Sequence, residues 1–279
     1  MCVENNPTIT KAALARTVRM SRGSLYYQSK LEWKDKKVAV EIERIHDEED
    51  DTLGHKKLAP LLKTGKNRVK RIMRKYGLSA RRRSKKYVYR GKSDTVQPNL
   101  ANQDVYRESL EHGIVYSDIF EFRLADGCIL RGCFALLKQT RQILSLVFDY
   151  SMKATLVQAA IHKATFPDDV VIWHSDQGKQ FGAADTITLI IEKGLRASMS
   201  RAGTPTDNPF AERFVGTFKH AVVRKRAYHT LGEFLHAAEH WVNFYNNRRP
   251  HEGLNNLSPN NYAKKYGWPS VPYLANLTV

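Results

Sequence analysis

The stretch VVIWHSDQGKQF, residues 170–181, sets an apolar run directly against polar and acidic residues. Its first four residues are branched or aromatic, which predicts a buried β-strand over Val170–Trp173. The strand is followed by His174, by Asp176 and then by a glycine. The ends of strands are where α/β sheets build their sites. A carboxylate in this position therefore indicates a functional role for Asp176.

Size and composition narrow the class of protein. The 279 residues are enough for about two domains, and 42% hydrophobic content favours a packed core over a disordered chain. No run of about 18 apolar residues is present, and the N-terminus, MCVENNPTITK, lacks the apolar segment of a signal peptide. We expect a cytoplasmic, nucleoid-associated protein with no membrane partner.

The cysteines do not suggest a disulfide framework or a zinc site. Cys2, Cys128 and Cys133 are an odd number without CxxC spacing. The last two are an odd offset apart on a predicted strand, so their side chains should point to opposite faces.

Positive charge is concentrated at the beginning of the chain. Residues 1–100 carry 25 Lys and Arg against 11 Asp and Glu, a net charge of +14, whereas residues 101–279 carry 20 against 17, a net charge of +3. Such basic density indicates a polyanionic partner. The plainer interpretation is a well-solvated basic protein.

The basic part divides into two predicted helical units. Residues 1–30 contain helix-turn-helix spacing, in which Ser21 caps the second helix and Arg22 and Ser24 face outward, although any small helical hairpin has this pattern. Residues 31–80 predict three further helices, Val38–His46, Lys56–Lys63 and Arg68–Tyr76. Pro60 should shorten or kink the second of these helices, Asn67 should cap the third, and the third carries outward cations for DNA: Arg68, Arg71, Arg74 and Lys75.

Residues 81–110 form a predicted basic linker that opens with Arg81, Arg82 and Arg83. Such a run is typical of a solvated linker, and it is also suited to follow a DNA backbone. From residue 111 to 250, three consecutive strand patterns are followed by alternating helices and strands. This order predicts an α/β fold with a mixed sheet flanked by helices. Residues 251–279 read as a C-terminal tail.

Three acidic residues occupy the positions best suited to chemistry. Asp118 lies within the strand pattern IVYSDIFEF, Asp176 ends a strand, and Glu212 lies one turn into a helix that begins at Pro209. An unpaired buried carboxylate would cost several kcal/mol. Oxygen ligands suit Mg²⁺ or Mn²⁺, and two such ions about 3.5–4 Å apart can promote in-line displacement at phosphorus. The three acids therefore predict phosphodiester chemistry with two ions.

The spacing of these acids carries a family resemblance. Asp118 and Asp176 have 57 residues between them, Asp176 and Glu212 have 35, and Lys219 follows seven positions after Glu212. This pattern resembles the DD(35)E core of insertion-sequence transposases and retroviral integrases, which have a ribonuclease-H-like fold. The segments HSDQGKQF, SMSRAGTPTDNPFAERFVGTFK and FYNNRRPHEGLNNLSPNNY resemble the second-frame product of the large insertion-sequence family with two overlapping frames. The resemblance covers about residues 38–262.

The resemblance implies specific roles. The three acids would bind a metal pair, water would free a 3′ end of the element, and the resulting 3′-OH would attack another phosphodiester. Lys219 would contact DNA near the scissile phosphate, and the helical units would bind terminal inverted repeats. The active assembly would be a homodimer or larger on DNA, with an upstream-frame partner or fusion as a further possibility.

Two alternatives remain open at this point: a structure-specific nuclease on the same fold, and a non-catalytic DNA-binding regulator. The intact set of acids argues against the regulator. Lys138 stands where many relatives of this family carry an acidic residue.

Several other residues have competing explanations. His174 is better explained as a structural residue, Asp207 and Asn208 as helix caps, and Asp149 as a helix-entry residue. Trp173 and Trp241 are predicted core residues. Arg248 and Arg249 suit phosphate binding, and a solvated turn explains them nearly as well.

Overall fold

A computed structural model describes most of the chain, namely residues 10–17, 19–25, 30–81, 96–107, 112–202 and 204–278. The side chain of Arg22, and all of Arg82 and Arg83, lie outside this description. Within it, no helix is both long and apolar enough to cross a membrane. Of the cysteines described, Cys128 is exposed and Cys133 is buried, and both are free thiols.

The first helical segment is short. Helix α1 spans Lys11–Thr17, and a 3₁₀ turn covers Arg22–Leu25. Ser21 Oγ accepts a hydrogen bond of 3.2 Å from the Ser24 N–H, so Ser21 caps this turn as predicted.

The second helical unit begins earlier than predicted. Helix α2 runs over Lys30–Arg44, eight residues before the expected start, and continues as a π-helical segment, Ile45–Asp50. Helix α3, His55–Leu61, contains Pro60 in its last turn and ends two residues before the predicted Lys63. Helix α4, Lys66–Lys75, has Gly65 at its N-cap, so the predicted cap at Asn67 is wrong. A short helix, α5, follows at Asp104–Arg107.

The sheet has the order expected of a ribonuclease-H-like core. Its strands are β1 Gly113–Tyr116, β2 Ile119–Arg123, β3 Ile129–Leu137, β4 Ile143–Asp149, β5 Val170–Ser175 and β6 Arg196–Met199. Both β1 and β2 pair antiparallel with β3, along successive parts of that strand. They therefore occupy one strand position in the sheet, which is interrupted between Tyr116 and Ile119. Strand β4 lies on the other side of β3, and β5 and β6 continue parallel from β1. The predicted mixed sheet is confirmed.

The interruption corrects one expectation. Asp118 does not lie inside a continuous buried strand, because Ser117 and Asp118 separate β1 from β2. The residue is half-buried rather than fully enclosed. This break puts Asp118 just beyond the C-terminal end of β1.

Helices cover both faces of the sheet. The remaining helices are α6 Ala154–Lys163, α7 Ala184–Glu192, α8 Pro209–Phe218, α9 Leu231–Asn247 and α10 Pro259–Lys265. Alternation along each strand sends Val115 and Trp173 into one core with α6 and α7. Tyr116 and Phe120 enter the other core, which contains Trp241 of α9 and extends to apolar residues of α2, α3 and α4. Trp173 and Trp241 are buried, as predicted.

The chain covers two edges of its own sheet. The Phe148 N–H in β4 donates to the Leu277 carbonyl at 2.7 Å, and Phe148 forms a parallel bridge with Thr278. At the β6 edge, the Met199 N–H donates to the Pro98 carbonyl at 3.4 Å. The C-terminal tail is therefore packed on the core.

Candidate active site

Two of the predicted acids occupy neighbouring positions on parallel strands. Tyr116 of β1 lies opposite His174 of β5, and the Ser117 N–H donates to the His174 carbonyl at 2.9 Å. Asp118 and Asp176 each follow two residues later, just beyond these strands, and both are half-buried. Because parallel strands in register place equivalent positions side by side, we expect the two carboxylates at the same, C-terminal end of β1 and β5.

The charges of Asp118 and Asp176 both act on one buried thiol, that of Cys133. Burial raises the pKa of Cys133 to about 12, and the negative charges of Asp118 and Asp176 act in the same direction. Both acids therefore lie within electrostatic reach of one β3 side chain.

The loop after β5 fixes the second acid. Asp176 Oδ1 accepts a hydrogen bond of 3.0 Å from the Gly178 N–H. A Cβ atom added at Gly178 would lie 3.0 Å from that oxygen and 3.2 Å from Gln180 Oε1. The glycine is therefore needed for a close approach of backbone to carboxylate.

Glu212 lies on α8, the start of which is linked to β1. Asn208 precedes α8, and its Nδ2 donates to the Ser117 carbonyl at 3.1 Å, next to Asp118. The Glu212 N–H in turn donates to the Asn208 carbonyl at 3.2 Å. Glu212 has an exposed surface, yet partial desolvation raises the pKa of its carboxyl group. The start of α8 is thus tied directly to the strand interruption.

The arrangement falls short of a closed metal cage. Among the residues that the structure describes, no group of three or more His, Cys, Asp or Glu side chains is arranged to hold a metal ion. The paired aspartates fit a hard cation, because two adjacent carboxylates repel each other and offer only oxygen ligands. Glu212 lies one turn into α8.

Lys219 extends over the same region from the far end of α8. Its Nζ lies 5.7 Å from the centre of the Phe120 ring. Phe120 is only two residues beyond Asp118. The predicted DNA-contacting lysine therefore lies directly after α8, close to the first residues of β2.

Two sequence models described as "Integrase core domain" match the chain, one over residues 109–205 and the other over residues 193–259. Together they cover more than half of the chain, including the sheet, the three acids and α8. The chain belongs to the integrase-core family. It is a DDE-type transposase, and integrase-core enzymes are metal-dependent.

Relatives match the transposase over nearly its whole length. The insertion element IS407 uncharacterized 31.7 kDa protein of Burkholderia multivorans is 25% identical over 95% of this chain and 94% of its own. The putative transposase InsK for insertion sequence element IS150 of Escherichia coli K12 is 26% identical over 92% and 95%. The solved catalytic core domain of BIV integrase is 16% identical, with a TM-score of 0.43, and the match covers 56% of this chain and 97% of that one.

His174 has a structural environment. It is fully buried, with Nδ1 2.8 Å from Ser198 Oγ and Nε2 3.1 Å from Ser200 Oγ. Burial lowers the pKa of His174 to about 4, so the ring is neutral near pH 7. It fastens β5 to the end of β6, as the structural interpretation predicts.

The two predicted caps of α8 have other roles. Asn208 makes no side-chain capping bond and binds the Ser117 carbonyl instead. The Asp207 carboxylate accepts from the backbone and guanidinium of Arg201 and from the amides of Asn99 and Asn102. The capping prediction is wrong for both, because each side chain bonds a distant segment. Asp149 accepts from Ser151 Oγ at 2.7 Å.

Asp207 should make stability depend on pH. The hydrogen bond from Arg201 lowers the pKa of Asp207 to about 2. The stability that ionised Asp207 adds to the fold is therefore complete above the pKa of the unfolded state, near 3.8, and is lost as pH falls toward 2. We expect Asp207→Asn to lower the free energy of unfolding by about 1–2 kcal/mol at pH 7. Urea unfolding should show this difference shrinking between pH 4 and pH 2. A difference that does not change with pH would contradict the ionic origin.

Several predicted DNA-binding cations form ion pairs within the protein. Arg68 and Arg71 bind the buried Asp35 at 3.2 and 2.6 Å, and Lys75 binds Glu32 at 3.1 Å. Arg74 is exposed on α4, and Ser24 is exposed beside Ser21. Asp35 therefore fixes two of these arginines on the surface of the second helical unit.

A second set of ion pairs, which was not predicted, joins the helical unit to the core. Arg81 binds Asp51 at 2.8 Å and also donates to the carbonyls of His220 and Arg224. We call the contact of the acidic segment 47–51 with core residues the acidic clasp. Its other pairs are Arg248 with Glu49 and Arg249 with Asp50, the latter at 2.9 Å.

The acidic clasp corrects the interpretation of Arg249 as part of a solvated turn. Its side chain is only 3% exposed, and that of Asp50 is 0% exposed. The sequence signal that could have indicated the clasp is the run of five acids, DEEDD, in an otherwise basic region.

Proposed function

We propose that this transposase cuts the ends of its element by metal-dependent hydrolysis and joins the freed 3′ ends to target DNA. The single observation that supports this most is the pairing of Tyr116 with His174, because Asp118 and Asp176 each follow two residues later, just beyond β1 and β5. The hydrogen bond from Asn208 Nδ2 to the Ser117 carbonyl also links the start of α8, the helix that carries Glu212, to the residue before Asp118.

Asp118, Asp176 and Glu212 would hold Mg²⁺ or Mn²⁺, as two ions. The bound ions would neutralise phosphate charge and increase the nucleophilicity of the attacking oxygen. The protein's own contribution is to hold the acids in place: Gly178 fixes Asp176, and Asn208 fixes the start of α8. The raised pKa of Glu212 means that its carboxylate gains from a nearby cation.

The basic helical units would bind the terminal inverted repeats. Their surface offers Arg74, together with Arg68 and Arg71 oriented by Asp35. Phosphate contacts by such side chains fix position and make binding salt-dependent. Pairing two element ends would require at least a dimer on DNA, with an upstream-frame partner as a possible further component.

The full chain, Mg²⁺ and DNA carrying the element's own flanking ends test this function directly. Joined products are the expected result. Cut but unjoined DNA would instead identify a nuclease, and bound but intact DNA a regulator, so either outcome overturns the proposal.

Lys219 provides a test of DNA positioning. We expect Lys219→Gln to weaken DNA binding about two- to tenfold and to reduce the slope of log affinity against log salt by about one, because one phosphate contact is removed. Lys264→Gln on α10 is the charge-matched control and should leave both values unchanged. Equal salt slopes for the Lys219 variant and the unmodified chain would contradict the assignment.

A further inference from the structure

A cationic cavity of about 540 Å³ lies where the second helical unit meets the core. Its walls come from residues after the acidic segment, from the turn between β3 and β4, from α8 and from the residues after α9. Glu252 contributes a carboxylate to the lining. Five cationic side chains also line the cavity: Lys57, Arg81, Arg141, Arg213 and Arg249. We call this the junction cavity.

Part of this positive charge is not balanced by carboxylates. Asp50 and Asp51 pair with Arg249 and Arg81. Arg141 stacks 4.0 Å from the Phe210 ring, and in the described part of the chain it makes no ion pair. Burial lowers the pKa of Arg141, and the charge of Arg213 acts in the same direction. A half-buried cation beside a second cation is stabilised by an anion.

Two histidines add polar atoms without partners. His220 is 3% exposed, and its Nε2 lies 2.8 Å from the Arg81 carbonyl, so Nε2 must carry the hydrogen. The other nitrogen, Nδ1, is buried with no hydrogen-bond partner, and so is Nε2 of His251. Buried polar atoms are almost always hydrogen-bonded. Both histidines form part of the cavity wall.

The junction cavity is separate from the three acids. The α8 residues that line it include Phe210, Arg213 and Thr217, whereas Glu212 and Lys219 are not among its lining residues. Its volume suits a group of nucleotide size and excludes a DNA duplex.

We infer that the junction cavity binds a phosphate group, carried either by a nucleic-acid strand or by a free phosphorylated compound. Guanidinium groups match phosphate oxygens in charge and geometry. This binding goes beyond the proposed cleavage activity and needs neither Mg²⁺ nor Asp176.

Arg141 allows a test that spares the fold. Its φ of +61° is a left-handed conformation that glycine adopts without strain. Arg141→Gly therefore removes the guanidinium and relaxes the backbone. Arg19, with φ +53°, is an exposed left-handed arginine in the first helical segment, so Arg19→Gly is a matched control. Arg213→Gln removes a second charge from the exposed surface of α8.

Calorimetry on the full chain without Mg²⁺ would use inorganic phosphate and a 5′-phosphorylated thymidine dinucleotide. We expect the unmodified chain to bind both probes, and the affinity to fall at least tenfold in Arg141→Gly and several-fold in Arg213→Gln. Arg19→Gly should lose no affinity, and the Tm of Arg141→Gly should be no lower than that of the unmodified chain. Tighter binding of the dinucleotide would identify a nucleic-acid strand as the source, and similar affinities a free phosphorylated compound.

The inference would be overturned if neither probe bound, or if Arg141→Gly and Arg213→Gln both bound the probes as tightly as the unmodified chain. The Asp176→Asn chain should bind both probes normally. Failure of phosphate binding is therefore distinguishable from failure of the cleavage proposal.

Discussion

Asp176→Asn is expected to reduce both end cleavage and strand joining by about a thousandfold or more, equivalent to roughly 4 kcal/mol of lost transition-state stabilisation. A neutral amide beside Asp118 cannot supply the second negative charge that a hard cation requires. The amide oxygen can still accept from the Gly178 N–H, so the loop after β5 should keep its conformation. Gel electrophoresis of DNA with element ends, in Mg²⁺, measures both reactions.

A matched control is available in the turn between β2 and β3. Asp126 Oδ1 accepts from the Cys128 N–H at 2.9 Å, the same two-residue bond that Asp176 makes with Gly178. Asp126→Asn should retain full activity, and both variants should bind terminal-repeat DNA as the unmodified chain does. Cleavage by Asp176→Asn at the normal rate would remove Asp176 from the proposed metal site.

Arg249→Ala is expected to lower the free energy of unfolding by about 3–5 kcal/mol, because it leaves a buried charge without its partner. Burial opposes ionisation of Asp50, yet the Arg249 charge and the Thr52 hydrogen bonds hold the pKa of Asp50 below its usual value. Loss of Arg249 removes that compensation. Urea unfolding followed by circular dichroism measures the change.

Arg44→Ala is the control for this loss. Arg44 pairs with Glu41 and Glu48 on the surface of α2, where such pairs contribute less than about 1 kcal/mol. Replacing both members of the buried pair, Arg249→Met with Asp50→Leu, should recover most of the stability. A loss of less than 1 kcal/mol for Arg249→Ala would show that the acidic clasp is not held by this pair.

Local patterns predicted much of the core. Helix α9, Leu231–Asn247, begins after a residue type that commonly caps helices, because Thr230 accepts from the Glu233 N–H at 3.2 Å. The apolar run before Asp176 predicted β5, although the strand continues to Ser175. The convergence of the three acids, which their spacing predicted, stays a prediction: Asp118 and Asp176 follow β1 and β5, and Glu212 lies on α8.

Contacts between residues far apart in the sequence could not be predicted. Arg249 meets Asp50 across 199 positions, so no local pattern could reveal that this turn is buried. Asp207 and Asn208 have cap-forming side chains, but contacts with distant segments determine where they point. The basic composition of residues 1–100 suggested a separable unit, whereas α2, α3 and α4 share an apolar core with α8 and α9.

The covered sheet edges restrict how copies of this chain can associate. Backbone groups of β4 are already bonded at Phe148 by the C-terminal segment, and those of β6 at Met199 by the segment around Pro98. At these points a neighbouring copy cannot extend the sheet, which also protects both margins from amyloid-like stacking. Copies brought together on two DNA ends must therefore meet elsewhere than at these two backbone positions.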